Sequence, residues 1–481
     1  MTQVITGLSP VWESLVATTL ESALGITVTR RCADVAELVS VAEAGIGQCA
    51  VVSEDLRGLD LTLVRRLEHG GTGVVGLYPS GDDGAERRLR QLGVGAVLPL
   101  EADADAFATA VRTCAEPRSS TAGPMDLPGD QLDITHVPAA FVGPVMGQEL
   151  PAHPGARSSH PAESAEGWQP AGSTTPPTGD GEAPERSTVV AVWGPAGAPG
   201  RTTIAVNVAT ELASRGQQVL LIDADTYGGC VAQALGVLDE APGIAAACRV
   251  ADQGVLDVPA LARLAPFVTT GLRVLTGLPK AERWPEVRAA ALERVLELAR
   301  ALASVVVIDC GFCIEDDEEL SYDTAAPRRN EATLTALAAA DSVLAVGGAD
   351  PVALQRFVRA VQDLGSVPSP PPLPVINRVR CSAVGPRPEE RIADSLLRFA
   401  GIEHLRFVPD EPAVVDAAML AGRSVVEDSP DSALRASYAE LATAVAPWTA
   451  SRTNTRRNRW RGRPGARPGQ GAKRMVSPAK V

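Results

Sequence analysis

Between Val189 and Ala209 the chain reads VVAVWGPAGAPGRTTIAVNVA. An apolar run passes into a turn rich in Gly and Pro, and a Thr pair then opens a helical pattern. A strand that leaves such a turn directly as a helix commits this part of the chain to an α/β layer. It also aims successive backbone N–H groups and a helix N-terminus at one point, an arrangement that holds phosphate. Gly200-Arg201-Thr202 stands where a phosphate-binding loop has Gly-Lys-Thr. In that loop the lysine bridges the β- and γ-phosphates and the hydroxyl ligates Mg2+. Two residues depart from the pattern: Pro195 replaces its first glycine and Arg201 its lysine.

The same rhythm continues downstream. QQVLLIDADTYGG gives a second buried strand ending in Asp223 and Asp225, and ASVVVIDCG a third ending in Asp309, where a Walker-B acid would stand. SVLAVGGADPVAL and PLPVINRV read as two further strands, the second ending at Asn377-Arg378. The expected fold of residues 188–450 is a P-loop NTPase parallel sheet with helices on both faces. Strand ends that supply a loop, acidic positions and an Asn in this order are a stronger signal than the loop alone.

Residues 1–115 alternate strand and helix on a smaller scale. VITG precedes WESLVATTLESALG, ITVTRR precedes ADVAELVSVAEAG, and CAVVS precedes LDLTLVRRLEHG. GVVGLYP then leads to DDGAERRLRQLG, and AVLPL to ADAFATAVRTC. Five such units predict a flavodoxin-like parallel α/β domain. Their order and lengths resemble a response-regulator receiver domain without its chemistry. Thr6, Gly7, Leu8 and Ser9 stand where clustered acids would hold Mg2+, and Ser53 where the phospho-accepting Asp would end the third strand. Leu98 replaces the lysine before Pro99. The resemblance implies a pseudo-receiver that serves docking or dimerisation.

Residues 116–187, rich in Pro, Gly, Ser and Thr, predict a disordered, flexible linker. The tail 451–481 is Arg/Gly/Pro-rich and is expected to be disordered as well. It holds ten Lys/Arg and no Asp/Glu, so residues 1–450 carry −24 of a chain whose net charge is −14. An acidic body argues against a broad nucleic-acid-binding face. The tail is suited to weak contact with polyanions or anionic membrane, although Trp460 among its arginines is a poor anchor. No apolar run approaches the ~20 residues of a membrane span, and the N-terminus lacks a secretion signal. The expected location is cytoplasmic, with peripheral contact at the inner face of the membrane.

Other candidates read as structural. The eight cysteines are scattered and expected to be reduced. Cys310-Gly311-Phe312-Cys313 ends a buried strand rather than opening a helix, and lacks a second pair or a nearby His to complete a metal site. The run Glu315 to Glu319 reads as a solvated face, or as a partner-contact loop. The five histidines are dispersed, three of them in the linker.

Residues 187–450 resemble the ParA/MinD family of deviant-Walker ATPases. With the pseudo-receiver in front, the chain is most similar to the CpaE/TadZ branch, which is linked to positioning Tad/Flp pilus assembly. Asp223–Gly236 (DADTYGGCVAQALG) and Phe407–Glu427 (FVPDEPAVVDAAMLAGRSVVE) both fit that branch. The resemblance implies ATP and Mg2+ as ligands. Gly197, Gly200, Arg201, Thr202 and Thr203 would cradle the phosphates, with the Thr202 hydroxyl on Mg2+. Asp223 and Asp309 would support the metal through its waters, and Asp225 would orient the attacking water. Asn377 would read the adenine edge, and the loop at Pro409 and Asp410 would close over the base.

The departures bear on activity. Ala196 stands where the family's signature lysine would reach across a dimer, Ala198 where it has a second glycine, and Pro199 has no N–H to donate. Arg201 keeps the charge, but its planar fork does not superpose on an ammonium. The expected protein is an ATP-binding, homodimeric spatial regulator with weak or absent hydrolysis. It would position a pilus or septum assembly whose proteins dock on the receiver-like domain. Two other readings stand beside it: a nucleotide-independent scaffold that keeps the ATPase fold, and a chromosome or plasmid partition ATPase.

Overall fold

A computed structural model describes residues 1–115, 187–197, 199–238, 241–316 and 327–446. The linker expected at 116–187, apart from Ser187, lies outside the described residues, as do the tail at 451–481, Ala198 and Asp317–Glu319.

Strands β1 (Thr2–Gly7), β2 (Ile26–Cys32), β3 (Cys49–Ser53), β4 (Gly73–Tyr78) and β5 (Ala96–Pro99) form one parallel sheet, ordered β2-β1-β3-β4-β5. This is the flavodoxin-like, doubly wound order. Alternate residues face opposite helical layers: Val4, Val51 and Val75 one, Ile5, Ala50, Val52 and Val74 the other. Both faces are covered, so the strands read as continuous apolar runs. At the carboxyl edge between β1 and β3, Ser53 is 1% exposed and its Oγ accepts the Ser9 N–H at 2.9 Å.

The second sheet contains β6 (Thr188–Trp193), β7 (Val219–Ala224), β8 (Phe267–Thr269), β9 (Leu272–Leu275), β10 (Val305–Cys310), β11 (Ser342–Gly348), β12 (Pro372–Val379) and β13 (Arg406–Pro409). Its order is β13-β12-β11-β6-β10-β7-β9-β8, parallel except for the β8–β9 pair. The sequence reading finds five of these strands. It misses β8, β9 and β13, which at three or four residues are too short to stand out as apolar runs. At the sheet's edge β8 runs antiparallel to β9, because Gly271 turns the chain straight back with φ +80°.

The topology places the site. Strands β7 and β10 lie on one side of β6, and β11 to β13 on the other, so the carboxyl end of β6 is a topological switch point. Register then sets the carboxylates side by side: Asp309 on β10 pairs with Asp223 on β7 and with Val192 on β6.

The two sheets meet through helices. Arg288 Nη1 lies 3.4 Å from Asp60 and 3.1 Å from Asp252, while Thr62 Oγ1 donates to Asp252 at 2.8 Å. Arg88 donates to the carbonyls of Glu54, Leu59 and Gln253.

Candidate functional site

The loop that follows β6 takes its shape from three neighbours. Gly194 lies so close to β11 that a Cβ there would sit 2.1 Å from the Val346 carbonyl oxygen. Gly197 and Gly200 have φ of +108° and +98°, which bend the backbone in a way L side chains rarely adopt. Helix Arg201–Ser214 begins at once, with Gly200 as its N-cap. Its buried face, including Ile204, Ala205, Val208 and Leu212, packs beneath the sheet and fixes the direction of its N-terminus.

Arg201 does not extend freely from this loop. Nη1 donates to the carbonyls of Gly194 at 3.2 Å and Pro195 at 3.1 Å, and Nε donates to Cys310 at 3.1 Å. Nη2 pairs with Asp225 Oδ2 at 3.2 Å, with both side chains largely buried. The fork thus spans the loop, the end of β10 and the turn after β7. A lysine has three donors on one atom and could not make this set.

The other residues expected in the phosphate and metal region converge here. Thr202 Oγ1 donates to Asp309 Oδ2 at 2.6 Å. Asp223 Oδ2 accepts the Val231 N–H at 3.0 Å, and Asp225 Oδ1 accepts those of Tyr227 and Gly228. Burial pushes Asp223 up to about 7, and the neighbouring Asp225 charge adds to the rise. Burial likewise holds Asp309 well above the usual carboxylate range, with Asp223 contributing.

These residues fit Mg2+. Asp309 Oδ1 is buried without a hydrogen-bond partner, and an orphaned carboxylate oxygen beside two more buried acids is short of positive charge. The Thr202 hydroxyl spends its proton on Asp309 and accepts the Cys230 thiol at 3.6 Å, which leaves it one lone pair. Among the described residues no group of three or more His, Cys, Asp or Glu could hold a metal ion. When bound, Mg2+ would neutralise phosphate charge, with Thr202 holding it and Asp223 and Asp309 reaching it through water.

Beyond Gly200, a cavity of about 490 Å3 is lined by Thr203, Asn377, Arg378, Pro409, Asp410 and Tyr438 among others. The residues expected around the base therefore share one cavity. Asn377 is already engaged: Nδ2 donates to the Pro199 carbonyl at 2.8 Å and Oδ1 accepts the Arg378 N–H at 2.9 Å. In this state its amide anchors the loop, and the cavity wall is completed by Arg378, whose own φ is +60°.

Sequence reasoning misses the group that joins the two loops beside the carboxylates. Tyr227 Oη donates to Asn330 Oδ1 at 2.7 Å, and Asn330 Nδ2 donates to the Glu315 carbonyl at 2.7 Å. The Tyr227 and Phe312 rings lie 4.6 Å apart, and the Arg329 guanidinium sits 3.8 Å over Tyr227. Nothing local marks Arg329 or Asn330, because their partners are about a hundred residues away. The Cys310 and Cys313 thiols are free, and burial raises Cys310 far above its usual range.

Residues 190–421 match the CobQ/CobB/MinD/ParA nucleotide binding domain. The chain thus carries a ParA/MinD-type segment that contains the loop, the carboxylates and Asn377. Several solved structures align with about half of this chain at low identity. The cell division ATPase MinD of Pyrococcus furiosus is 19% identical over 53% of this chain and 97% of its own, with a TM-score of 0.42. A ParA family ATPase from Chlorobium tepidum TLS is 17% identical over 54% and 98%, with a TM-score of 0.46. The septum site-determining protein MinD from Pyrococcus horikoshii OT3, complexed with Mg-ADP, is 17% identical over 54% and 96%, with a TM-score of 0.43. No curated protein sequence matches the chain. Among the described residues, no helix is long and apolar enough to cross a membrane.

Proposed function

We propose that the ParA/MinD-type domain binds ATP with Mg2+ and uses it to bias the association of two copies of the chain, so that the protein marks a cellular position. The single observation that carries this reading is the orphaned Asp309 Oδ1 beside Asp223, Asp225 and Thr202 at the mouth of the loop. A fold kept only as a scaffold has no need of two adjoining buried acids, Asp223 and Asp309, that no cation pairs with among the described residues. Gly197, Gly200, Thr202 and Thr203 would receive the phosphates, and Asn377, Pro409 and Asp410 would border the base. The division is into a receiver-like domain at 1–115, a linker at 116–187, the ATPase-like domain at 188–450 and a basic tail at 451–481.

Hydrolysis would be slow. Asp225 is the group available to orient water, but its Oδ2 is paired with Arg201. Losing a cation that stabilises a transferring phosphoryl costs several kcal/mol of barrier. The sequence likeness to the CpaE/TadZ branch favours pilus assembly over a septum as the structure positioned. The receiver-like domain would dock protein partners, and the tail would add weak contact with polyanions or the inner membrane face.

The scaffold reading is favoured by one specific observation, the four hydrogen bonds that hold Arg201 beneath the loop. Titration of Mg-ATP into the full chain separates the two. Micromolar binding, followed by an ATP-dependent rise in particle size, supports the switch. Absence of binding at millimolar ATP supports the scaffold. Partition ranks below both; DNA binding that survives deletion of residues 451–481 would restore it.

A further inference from the structure

Two arginines approach the loop after β6, and only one is spent. Arg201 is bound by three carbonyls and Asp225. Arg356 comes from helix Pro351–Leu364, and a Cβ on Gly197 would lie 2.6 Å from its Nη1, with no other described residue beyond its chain neighbours within 4 Å. It is exposed and has no hydrogen bond or ion pair with the described residues.

The fold puts Arg356 there for identifiable reasons. Asp350 caps the helix by accepting the Ala353 N–H at 3.0 Å, and Pro351 opens it. Phe357 is fully buried against Gly347 of β11, where a Cβ would lie 2.7 Å from its ring. With Phe357 locked inward, the preceding residue is turned about 100° around the helix, and its guanidinium overhangs the loop beside Pro195 and Ala196.

The loop has two ends. Its Gly200 end touches Asn377 and opens on the cavity that suits a base, while its Gly197 end, three residues earlier, touches Arg356. A nucleotide lying along the loop with its base beside Asn377 has its outermost phosphate toward Gly197. Arg201 could reach that phosphate only by abandoning the buried carboxylate of Asp225. Arg356 gives up no partner among the described residues, and its planar fork matches phosphate oxygens.

We propose that Arg356 is the cation by which this site reads the outermost phosphate of a nucleoside triphosphate. The proposal rests on the nucleotide-binding reading above. Calorimetric titration of the full chain with Mg-ATP and Mg-ADP tests it, using wild type, Arg356→Ala, Arg356→Lys and Arg359→Ala. Arg359 is three residues further along the same exposed face and lines the same groove, but is not among the groups nearest a Cβ placed on Gly194, Gly197 or Gly200.

One charge-assisted contact is worth roughly a tenfold or greater change in affinity. Arg356→Ala is therefore expected to weaken ATP by about that factor while leaving ADP within about twofold. Arg356→Lys should recover part of the loss, and Arg359→Ala should match wild type. Equal loss for ATP and ADP, or no loss for either, overturns the proposal while the nucleotide site stands. If wild type binds neither nucleotide, the nucleotide-binding reading falls and takes this one with it. Circular dichroism of each variant verifies that the exposed substitutions leave the fold intact.

Discussion

Arg201 Nη2 and Asp225 Oδ2 form a buried ion pair at 3.2 Å, joining the loop after β6 to the turn after β7. Removing one partner of such a pair leaves an unmatched charge that costs about 3 kcal/mol or more. Asp225 keeps the N–H groups of Tyr227 and Gly228, which limits the loss. Arg201→Ala is expected to lower the unfolding free energy by about 2–3 kcal/mol in urea titration, and Arg201→Lys by less, because charge survives without the fork. A neutral Arg201→Ala result would mean that the fork is not engaged in solution.

The loop glycines should differ in their tolerance. Alanine at Gly197 would meet the far end of an exposed arginine, so the cost is chiefly the left-handed backbone, about 1 kcal/mol. Alanine at Gly200 would lie 2.3 Å from Asn377 Nδ2 and push a buried amide off the Pro199 carbonyl. That adds about 1–3 kcal/mol to the backbone cost. Thermal melts of the two variants should rank Gly200→Ala well below Gly197→Ala.

Tyr227 ties its own turn to the segment after β10 through Asn330. Tyr227→Phe keeps the ring on Phe312 and beneath Arg329 but leaves the Asn330 carbonyl oxygen without its donor. A loss of about 1 kcal/mol is expected. Hydrogen exchange should rise both around residues 225–230 and around 311–316. A rise confined to the first turn would show that the two loops are not joined.

Much of this site was legible in the sequence because its residues sit at ends of long, fully buried strands. Asp223 and Asp309 close runs of apolar residues, and a parallel register brings such ends together. Gly197, Gly200 and Thr202 follow from the turn chemistry. Arg356 and Asn330 were not legible. Each lies on or beside a helix whose rotation is set by distant packing, as Phe357 sets that of Arg356. The destination of the Arg201 fork was equally hidden, since a long side chain can serve the loop or the protein, and only tertiary contacts decide. The first domain was readable as five strand–helix units, but its docking through Arg88 and Arg288 depends on pairs of residues 165 and 228 positions apart.

Burial raises Asp60 above its ordinary value of 3.8, with Asp252 adding to the rise and Arg288 opposing it. The folded chain therefore binds this proton more tightly than the unfolded chain. The stability it confers is complete below pH 3.8 and is lost as pH rises through the folded value. Asp60→Asn keeps the helix cap on Leu63 and removes the titration. Relative to wild type, this variant should gain stability as pH is raised from 4 to 7, measured as the difference in urea midpoints. A constant difference across that range would mean that Arg288 and the helix cap cancel the effect of burial.

Close packing also governs where this loop can vary. Side chains at Gly194 and Gly200 are blocked by the backbone of β11 and by Asn377, while at Gly197 the φ of +108° is the obstacle. At 195, 196 and 201 the structure already accommodates a proline, an alanine and an arginine. Mutational drift toward an altered phosphate loop is thus channelled into the positions that have space. A library randomised over 194–201 and selected only for folding should retain those three glycines while letting 195 and 196 wander.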